Sequence, residues 1–184
     1  CRQPMIQYRA LFSHLASTII GYQDQLKKLI SDKRESVKAE NQLIGVNAFK
    51  NAYDPTDHFN LPERKEAVPF IDFSPLENAL QQLKSVTDTL QKRYSENIKD
   101  NQSNDTFNKK LYTAEQQLLG TGLPRRPWYR HVLYAPGYYT GYGVKTMPGI
   151  REAIEENNWK EAQEQIEIAA NVREKFSGYL KELD

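Results

Sequence analysis

Between Glu115 and Glu152 the chain contains no Asp or Glu, yet it places Arg125, Arg126, Arg130, Lys145 and Arg151 among Trp128, Tyr129, Tyr134, Tyr138, Tyr139 and Tyr142. Arginine forks bind carboxylate or phosphate through paired hydrogen bonds, and tyrosine adds a hydroxyl on a rigid apolar body. That composition suits recognition of an anion or contact with another protein surface. A purely internal use is the alternative: the arginines cap helix ends and pair with acids elsewhere, while the tyrosines wedge the segment onto the core. Composition leaves both open.

Other reactive groupings are absent from the sequence. The histidines, His14, His58 and His131, stand far from one another, and there is no His-Glu-x-x-His pattern. No Gly-x-Ser-x-Gly elbow occurs, and Gly120-Thr-Gly122 and Gly141-Tyr-Gly143 lack the third glycine and the strand-then-helix setting of a dinucleotide loop. We therefore expect no catalytic residue, no metal site and no cofactor in this chain. The single cysteine, Cys1, excludes an intrachain disulfide. At that position it reads as a lipidated terminus or as a fragment boundary.

The elements that must carry the loop are helical in pattern. From Ile6 to Ile30, Tyr8, Leu11, Phe12, Leu15, Ile19, Ile20, Leu26, Leu29 and Ile30 fall on one face, with Gly21 inside the run. Residues 31–72 read as an irregular insertion, opening on a charged run with a possible short helix and then carrying Asp54, Pro55, Asp57, Asn60, Pro62 and Pro69. Ser74-Pro75-Leu76-Glu77 predicts a helix start with Ser74 as N-cap and Glu77 closing a capping box. Leu76, Leu80, Leu83, Leu90 and Tyr94 continue that helix to about Ile98. A third helix is expected from about Thr106 to Leu119, with Phe107, Leu111 and Leu118 inward and Gly120 as its stop.

Residues 120–149 are punctuated too often by Pro and Gly for a long regular element. Pro148-Gly149-Ile150 then opens a helix that Asn157-Asn158 interrupts, and Trp159 starts the last one, burying Ala162, Ile166, Ala169, Val172, Phe176 and Leu180. The expected fold is all-α: an antiparallel helical bundle, a single domain over 1–184, with one long, ordered loop rich in aromatic, Pro and Gly residues.

A chain of 184 residues with 39% hydrophobic residues can bury about 70% of the surface its unfolded form exposes. Basic residues number 25 and acidic residues 24, so the overall field gives no case for nucleic acid or an anionic membrane surface. No apolar run approaches the ~20 residues of a membrane-spanning helix.

Leu123-Pro-Arg-Arg-Pro-Trp-Tyr-Arg-His-Val-Leu-Tyr-Ala-Pro136, followed after a short gap by Pro148-Gly149-Ile150 and a helix, resembles the transferrin receptor-like dimerisation domain. This is the C-terminal helical domain of glutamate carboxypeptidase II-like (N-acetylated alpha-linked acidic dipeptidase) zinc peptidases and of the transferrin receptor. The specific likeness runs from about Gly122 to Ile154, and the helix order fits from Phe73 onward. The resemblance implies a homodimer built on this domain, which also packs on the peptidase domain preceding it in the family. It places zinc in that peptidase domain.

It further implies that the loop reaches toward the peptidase site. Tyr142 falls on the tyrosine of a Lys-Tyr pair that holds the glutamate-like side chain of the substrate, with Tyr138, Tyr139 and Lys145 as neighbouring candidate contacts. The lysine position itself is Gly141 here, which puts acidic specificity in doubt unless Lys145 reaches the same place. Arg125, Arg126, Trp128, Tyr129, Arg130, His131 and Tyr134 are then candidate contacts with the peptidase domain.

The Gly-Tyr-Gly-Val-Lys-Thr stretch is closer to bacterial members than to animal ones and suggests an extracytoplasmic parent, this segment itself making no membrane contact. Further apolar residues, Ile6, Ile20, Ile98, Ile154 and Ile168, could form a self-complementary patch or complete the core. Two other readings stand beside this one: a receptor-like interaction module whose parent lacks peptidase activity, and an unrelated helical module binding an anionic ligand.

Overall fold

The computed structural model describes residues 3–51, 62–97, 109–110 and 112–182, with side chains from position 14 onward except those of 15, 50, 51 and 94–97. Pro55, His58, Ile98, Phe107 and Leu111, and the side chains of Ile6, Tyr8, Leu11, Phe12, Leu15 and Tyr94, lie outside the described residues. The chain divides into two compact units, one of residues 1–24 with 71–184 and one of residues 25–70. No helix among the described residues is long and apolar enough to cross a membrane.

The first helix, α1 (Gln3–Gly45), does not stop near Ile30 but runs on through the charged segment to Gly45. Its continuation corrects the expectation of an irregular insertion beginning at residue 31. No Gly or Pro lies between Gly21 and Gly45, and Lys, Arg, Glu, Gln and Ala all favour helix. Nothing lies within 4 Å of a Cβ built on Gly21, so that glycine permits no close approach. Asn47 ends the helix in the left-handed region at φ 53, with the Val46 and Asn47 amides donating back to the carbonyls of Gln42 and Ile44.

In the unit of residues 25–70, the short α2 (Ala48–Asn51) follows, and residues 62–70 form neither helix nor strand. Polar side chains of α1 hold this extended stretch. Asn41 Nδ2 donates to the Lys65 carbonyl and Asn41 Oδ1 accepts from the Lys65 amide, each at 2.9 Å. Lys65 Nζ pairs with Glu40 at 2.7 Å, and Arg34 donates to the Pro69 carbonyl at 2.8 Å. Side-chain amides thereby satisfy backbone groups that have no ladder partner.

The other unit is a helical bundle with one small hairpin. Helix α3 (Ser74–Asn97) buries Leu76, Ala79, Leu80, Leu83, Val86 and Leu90, a spacing of three and four that makes one continuous stripe. Its main neighbour is the last helix, α5 (Trp159–Lys181), which buries Ala162, Ile166, Ala169, Ala170, Val172, Phe176 and Leu180. Ile19 of α1, Ala114 and Leu118 of a 3-10 helix (Ala114–Leu118), and Val132 and Leu133 of the following loop join the same cluster.

Between the 3-10 helix and α4 (Pro148–Glu155) the chain forms a two-stranded antiparallel hairpin, β1 (Tyr134–Pro136) with β2 (Val144–Thr146), which sequence punctuation had not indicated. The interruption at Asn157-Asn158 is as expected: Asn157 takes φ 59, and Asn158 caps α5 by accepting from the Glu161 amide at 3.2 Å.

The start of α3 differs from expectation in its cap. The Glu77 amide donates to the Phe73 carbonyl at 3.0 Å, so the first helical acceptor lies one residue earlier than Ser74. Asp72 Oδ1 accepts from the Ser74 amide at 2.8 Å, and hydrogen bonding from the Ser74 side chain first, then from that amide, holds the Asp72 carboxyl below its usual range. Gln163 of α5 then clamps the Asp72 backbone from both sides, accepting from its amide at 3.0 Å and donating to its carbonyl at 3.1 Å. Gln163→Leu should cost about 1–3 kcal/mol, since two part-buried backbone groups lose their partners. Urea denaturation checks it, and an unchanged midpoint would show that water replaces the clamp.

A loop whose cations turn inward

The loop starts on a short ladder. The Gly120 amide donates to the Arg130 carbonyl at 2.7 Å, and the Val132 amide donates to the Leu118 carbonyl at 3.2 Å. Arg130 Nε returns a bond to the Gly120 carbonyl at 3.0 Å. Inside that ladder the chain turns sharply, the Leu123 amide donating to Tyr129 and the Arg126 amide to Leu123. Gly122 sits at φ 117, and a Cβ there would fall 2.4 Å from the Pro127 carbonyl oxygen. Only glycine fits that crossing.

The turn delivers Arg126 to the interior. Its side chain is only 4% exposed, and Nη2 meets both carboxylate oxygens of Glu152 on α4 at 2.7 Å. Nη1 donates to the Pro136 carbonyl on β1, and Glu152 Oε1 also accepts from the Tyr138 amide at 2.8 Å. Arg126 and Glu152 therefore tie the turn, the hairpin and α4 together. The guanidinium further lies 5.6 Å from the Tyr129 ring centre and 5.8 Å from that of Tyr138, within cation–π range.

The other cations are also engaged. Arg125, in the left-handed region at φ 62, pairs with Glu156 at 3.1 Å and Glu161 at 3.2 Å and lies 5.4 Å from the Tyr138 ring centre. Lys145 on β2 meets both oxygens of Glu155 at 2.7 and 2.6 Å. Arg151 donates to the Thr146 carbonyl and hydroxyl at 3.1 and 3.0 Å. The internal use of the arginines is thus the observed one, and the anion-recognition reading loses the free cations it needed.

What faces outward is aromatic. Gly137 donates to the Gly143 carbonyl at 2.8 Å and Gly141 to the Gly137 carbonyl at 2.9 Å, closing the hairpin tip. Tyr142 at that tip is fully exposed, Tyr139 is 76% exposed and Trp128 72%. Tyr138 packs edge-on against Tyr139 with ring centres 5.0 Å apart. The candidate substrate contacts Tyr138, Tyr139 and Tyr142 are therefore brought together at the tip region, whereas Lys145 is held at the hairpin's base by Glu155.

His131 and Tyr134 form a separate cluster. Their rings stack at 4.0 Å, the Tyr134 hydroxyl donates to Glu115, and His131 Nε2 lies 3.7 Å from the same carboxylate. Burial pushes the His131 pKa down, with Glu115 opposing. The hydrogen bond to Glu115 is the main cause that pushes the Tyr134 phenol up to about 12.

Sequence reasoning named the cations but not their partners. Glu152 and Glu155 on α4, Glu156 at its C-cap and Glu161 on α5 all follow the acid-free loop, and that abrupt change of sign was the available signal. Among the described residues no group of three or more His, Cys, Asp or Glu could hold a metal ion.

The bundle and its loop define a helical domain, and comparison identifies its family. The chain belongs to the transferrin receptor-like dimerisation domain family, whose profile matches residues 71–181. That match begins at the residue where the chain rejoins the first compact unit. It is 36% identical over 107 residues to "Probable glutamate carboxypeptidase" of Arthroderma benhamiae, covering 56% of this chain and 15% of that protein. It is 33% identical over 136 residues to "Probable glutamate carboxypeptidase LAMP1" of Arabidopsis thaliana, covering 70% and 20%. With "Putative zinc metalloprotease TRE2" of Saccharomyces cerevisiae it shares 37% identity over 76 residues, covering 36% and 9%. The chain thus spans a fifth or less of the length of these relatives.

Two outcomes follow from this geometry. Glu152→Gln strips the charge opposite a buried guanidinium and should cost about 3–5 kcal/mol, while Arg126→Met with Glu152→Leu should recover only part of it, since the Pro136 carbonyl and the Tyr138 amide stay without these partners; denaturant titration of the variants checks both. The raised Tyr134 pKa stabilises the fold fully below the unfolded value of about 10, and that contribution is lost as pH rises through about 12. Absorbance titration should show a phenol ionising near pH 12, which Glu115→Gln moves back toward the ordinary range.

Proposed function

We propose that this domain assembles its full-length protein as a homodimer and presents the hairpin tip to the substrate site of a zinc exopeptidase domain on the same polypeptide. The observation that carries the second half is the tip itself: Tyr138, Tyr139 and Tyr142 lie outward on a hairpin anchored by the buried Arg126–Glu152 pair. Rings held this way supply contact area at low ordering cost. Trp128, Tyr129 and Tyr134 extend the aromatic surface available to a neighbouring domain, and the paired Arg125, Arg126, Arg130 and His131 act by shaping it.

Zinc, on this reading, belongs to the peptidase domain. There it would activate water and polarise the scissile carbonyl; this domain's part is to shape the rim of the site. Since Lys145 is bound to Glu155 and position 141 is glycine, the tip offers a phenol and aromatic faces in place of a cation. Acidic selectivity, where present, has to come from the peptidase domain.

What supports assembly is the family itself together with the self-contained bundle. Among the residues first considered for a self-complementary patch, Ile154 is fully buried, Ile20 packs against the core and Ile168 is half-buried, so these three serve mainly the domain's interior. Ile6 and Ile98 fall outside what the structure describes. The receptor-like alternative shares this fold and differs only in whether the neighbouring domain holds a working zinc site.

The test uses the full-length protein. Sedimentation across a concentration series should give a dimer for the wild type and for Tyr142→Phe alike, while Tyr142→Phe raises KM for peptide substrates. Unchanged KM would sink the rim role of Tyr142, and a strict monomer would sink the assembly role.

A further inference from the structure

His131 sits where the loop passes from its opening ladder into β1, and its two ring nitrogens are unequally placed. Nδ1 accepts from the Leu133 amide at 3.3 Å. Nε2 is buried, has no hydrogen-bond partner among the described residues and lies 3.7 Å from Glu115 Oε1. In the neutral ring the single proton therefore belongs on Nε2, facing the carboxylate, because Nδ1 keeps its lone pair for Leu133. A ring turned over would set C–H groups against both the amide and the acid.

The amide held this way lies at a junction. Leu133 is 2% exposed, so without the ring its N–H is left buried and unpaired. The Leu133 carbonyl accepts from the Met147 amide at 2.7 Å, where α4 opens, and the Val132 amide before it donates to Leu118 at 3.2 Å. Tyr134, next in the chain, starts β1, stacks on the His131 ring at 4.0 Å and donates to Glu115. The groups facing the ring are thus Glu115 from the 3-10 helix and Tyr134 from β1, while Tyr22 of α1 acts on the Tyr134 hydroxyl. The neighbouring Arg130 is turned to the Gly120 carbonyl.

We propose that His131 is an acid-released latch: a second proton, taken up at Nδ1, sets two donors against each other, breaks the Leu133 bond and frees the base of the hairpin. Attraction to Glu115 opposes release, but that side chain is 68% exposed and water screens it. Burial prevails, and the pKa of the ring falls below its ordinary value. The folded chain hence takes up the proton less readily than the unfolded one. The latch contributes fully above the unfolded value of about 6.5, and its contribution is lost as pH falls through the lowered folded one. The device is internal to the domain, whatever the tip meets.

Hydrogen exchange read by mass spectrometry on the full-length protein, corrected for the intrinsic pH dependence of exchange, tests this between about pH 8 and pH 5. Peptides spanning residues 130–136 should lose protection about tenfold on acidification, the size of one net hydrogen bond, while peptides from α5 keep theirs. His131→Asn sets an amide oxygen near the place of Nδ1, suited to accepting from the amide two residues on, and should hold protection level across the range. His131→Gln, whose oxygen reaches the place of Nε2 instead, should show the low protection even at the alkaline end. Wild-type protection that does not fall with pH would overturn the proposal whatever the variants do. A fall of equal size in the Asn variant, or full protection in the Gln variant, would overturn it as well.

Discussion

The buried ion pair of Arg126 and Glu152 is the constraint on which the loop depends. It joins a turn, a strand and a helix through one buried guanidinium and one buried carboxylate, while the most exposed of the loop's aromatic side chains, Trp128, Tyr139 and Tyr142, point outward. A hydrophobic pair of similar volume would fill the space, but it would not bond the Pro136 carbonyl or the Tyr138 amide. Those two groups fix where the hairpin leaves the turn and how its tip is aimed. The desolvation cost of such a pair often offsets its attraction, so its use here is better read as specifying geometry than as adding stability.

The remaining cations follow the same logic at lower stakes. Arg125 and Lys145 are partly exposed, so their pairings with Glu156, Glu161 and Glu155 contribute modestly after screening. Together they pin a loop free of acids onto helices rich in them. Charge is thereby partitioned by element: positive on the loop, negative on the helical surface beneath it. The near-balance of the whole chain conceals a local complementarity that exists only after folding.

That partition also explains what could be read from the sequence. The break at Asn157-Asn158, the opening of α4 at Pro148 and the stripes of α3 and α5 were legible because each rests on residues close together in the chain. The start of α3 at the Phe73 carbonyl, one residue before the expected Ser74, and the Asp72 carboxylate beside it were hidden because Gln163 holds Asp72 from 91 residues away. The continuation of α1 to Gly45 was obscured because its charged portion lacks a clear apolar stripe; helix propensity carried the information that amphipathicity did not. Arg126 stood in the sequence only as one of five cations in an acid-free stretch; its partner lies 26 residues on, and only the fold distinguishes an inward arginine from one awaiting a ligand.

Turning the cations inward determines how the outward face can act. With Arg125, Arg126 and Lys145 matched by neighbouring glutamates, the aromatic residues of the hairpin tip draw their contacts from buried area and hydroxyl bonds more than from long-range attraction. A diffusing partner would gain little electrostatic steering from it. A domain carried on the same polypeptide needs none, because the linkage itself supplies a high effective concentration. The tip's backbone is already closed by the Gly137–Gly143 and Gly141–Gly137 bonds, so less ordering remains for docking to impose. A pre-formed aromatic tip whose neighbouring Arg126 and Lys145 are already paired is consequently better matched to placement against a tethered neighbour than to capture of a free anionic ligand.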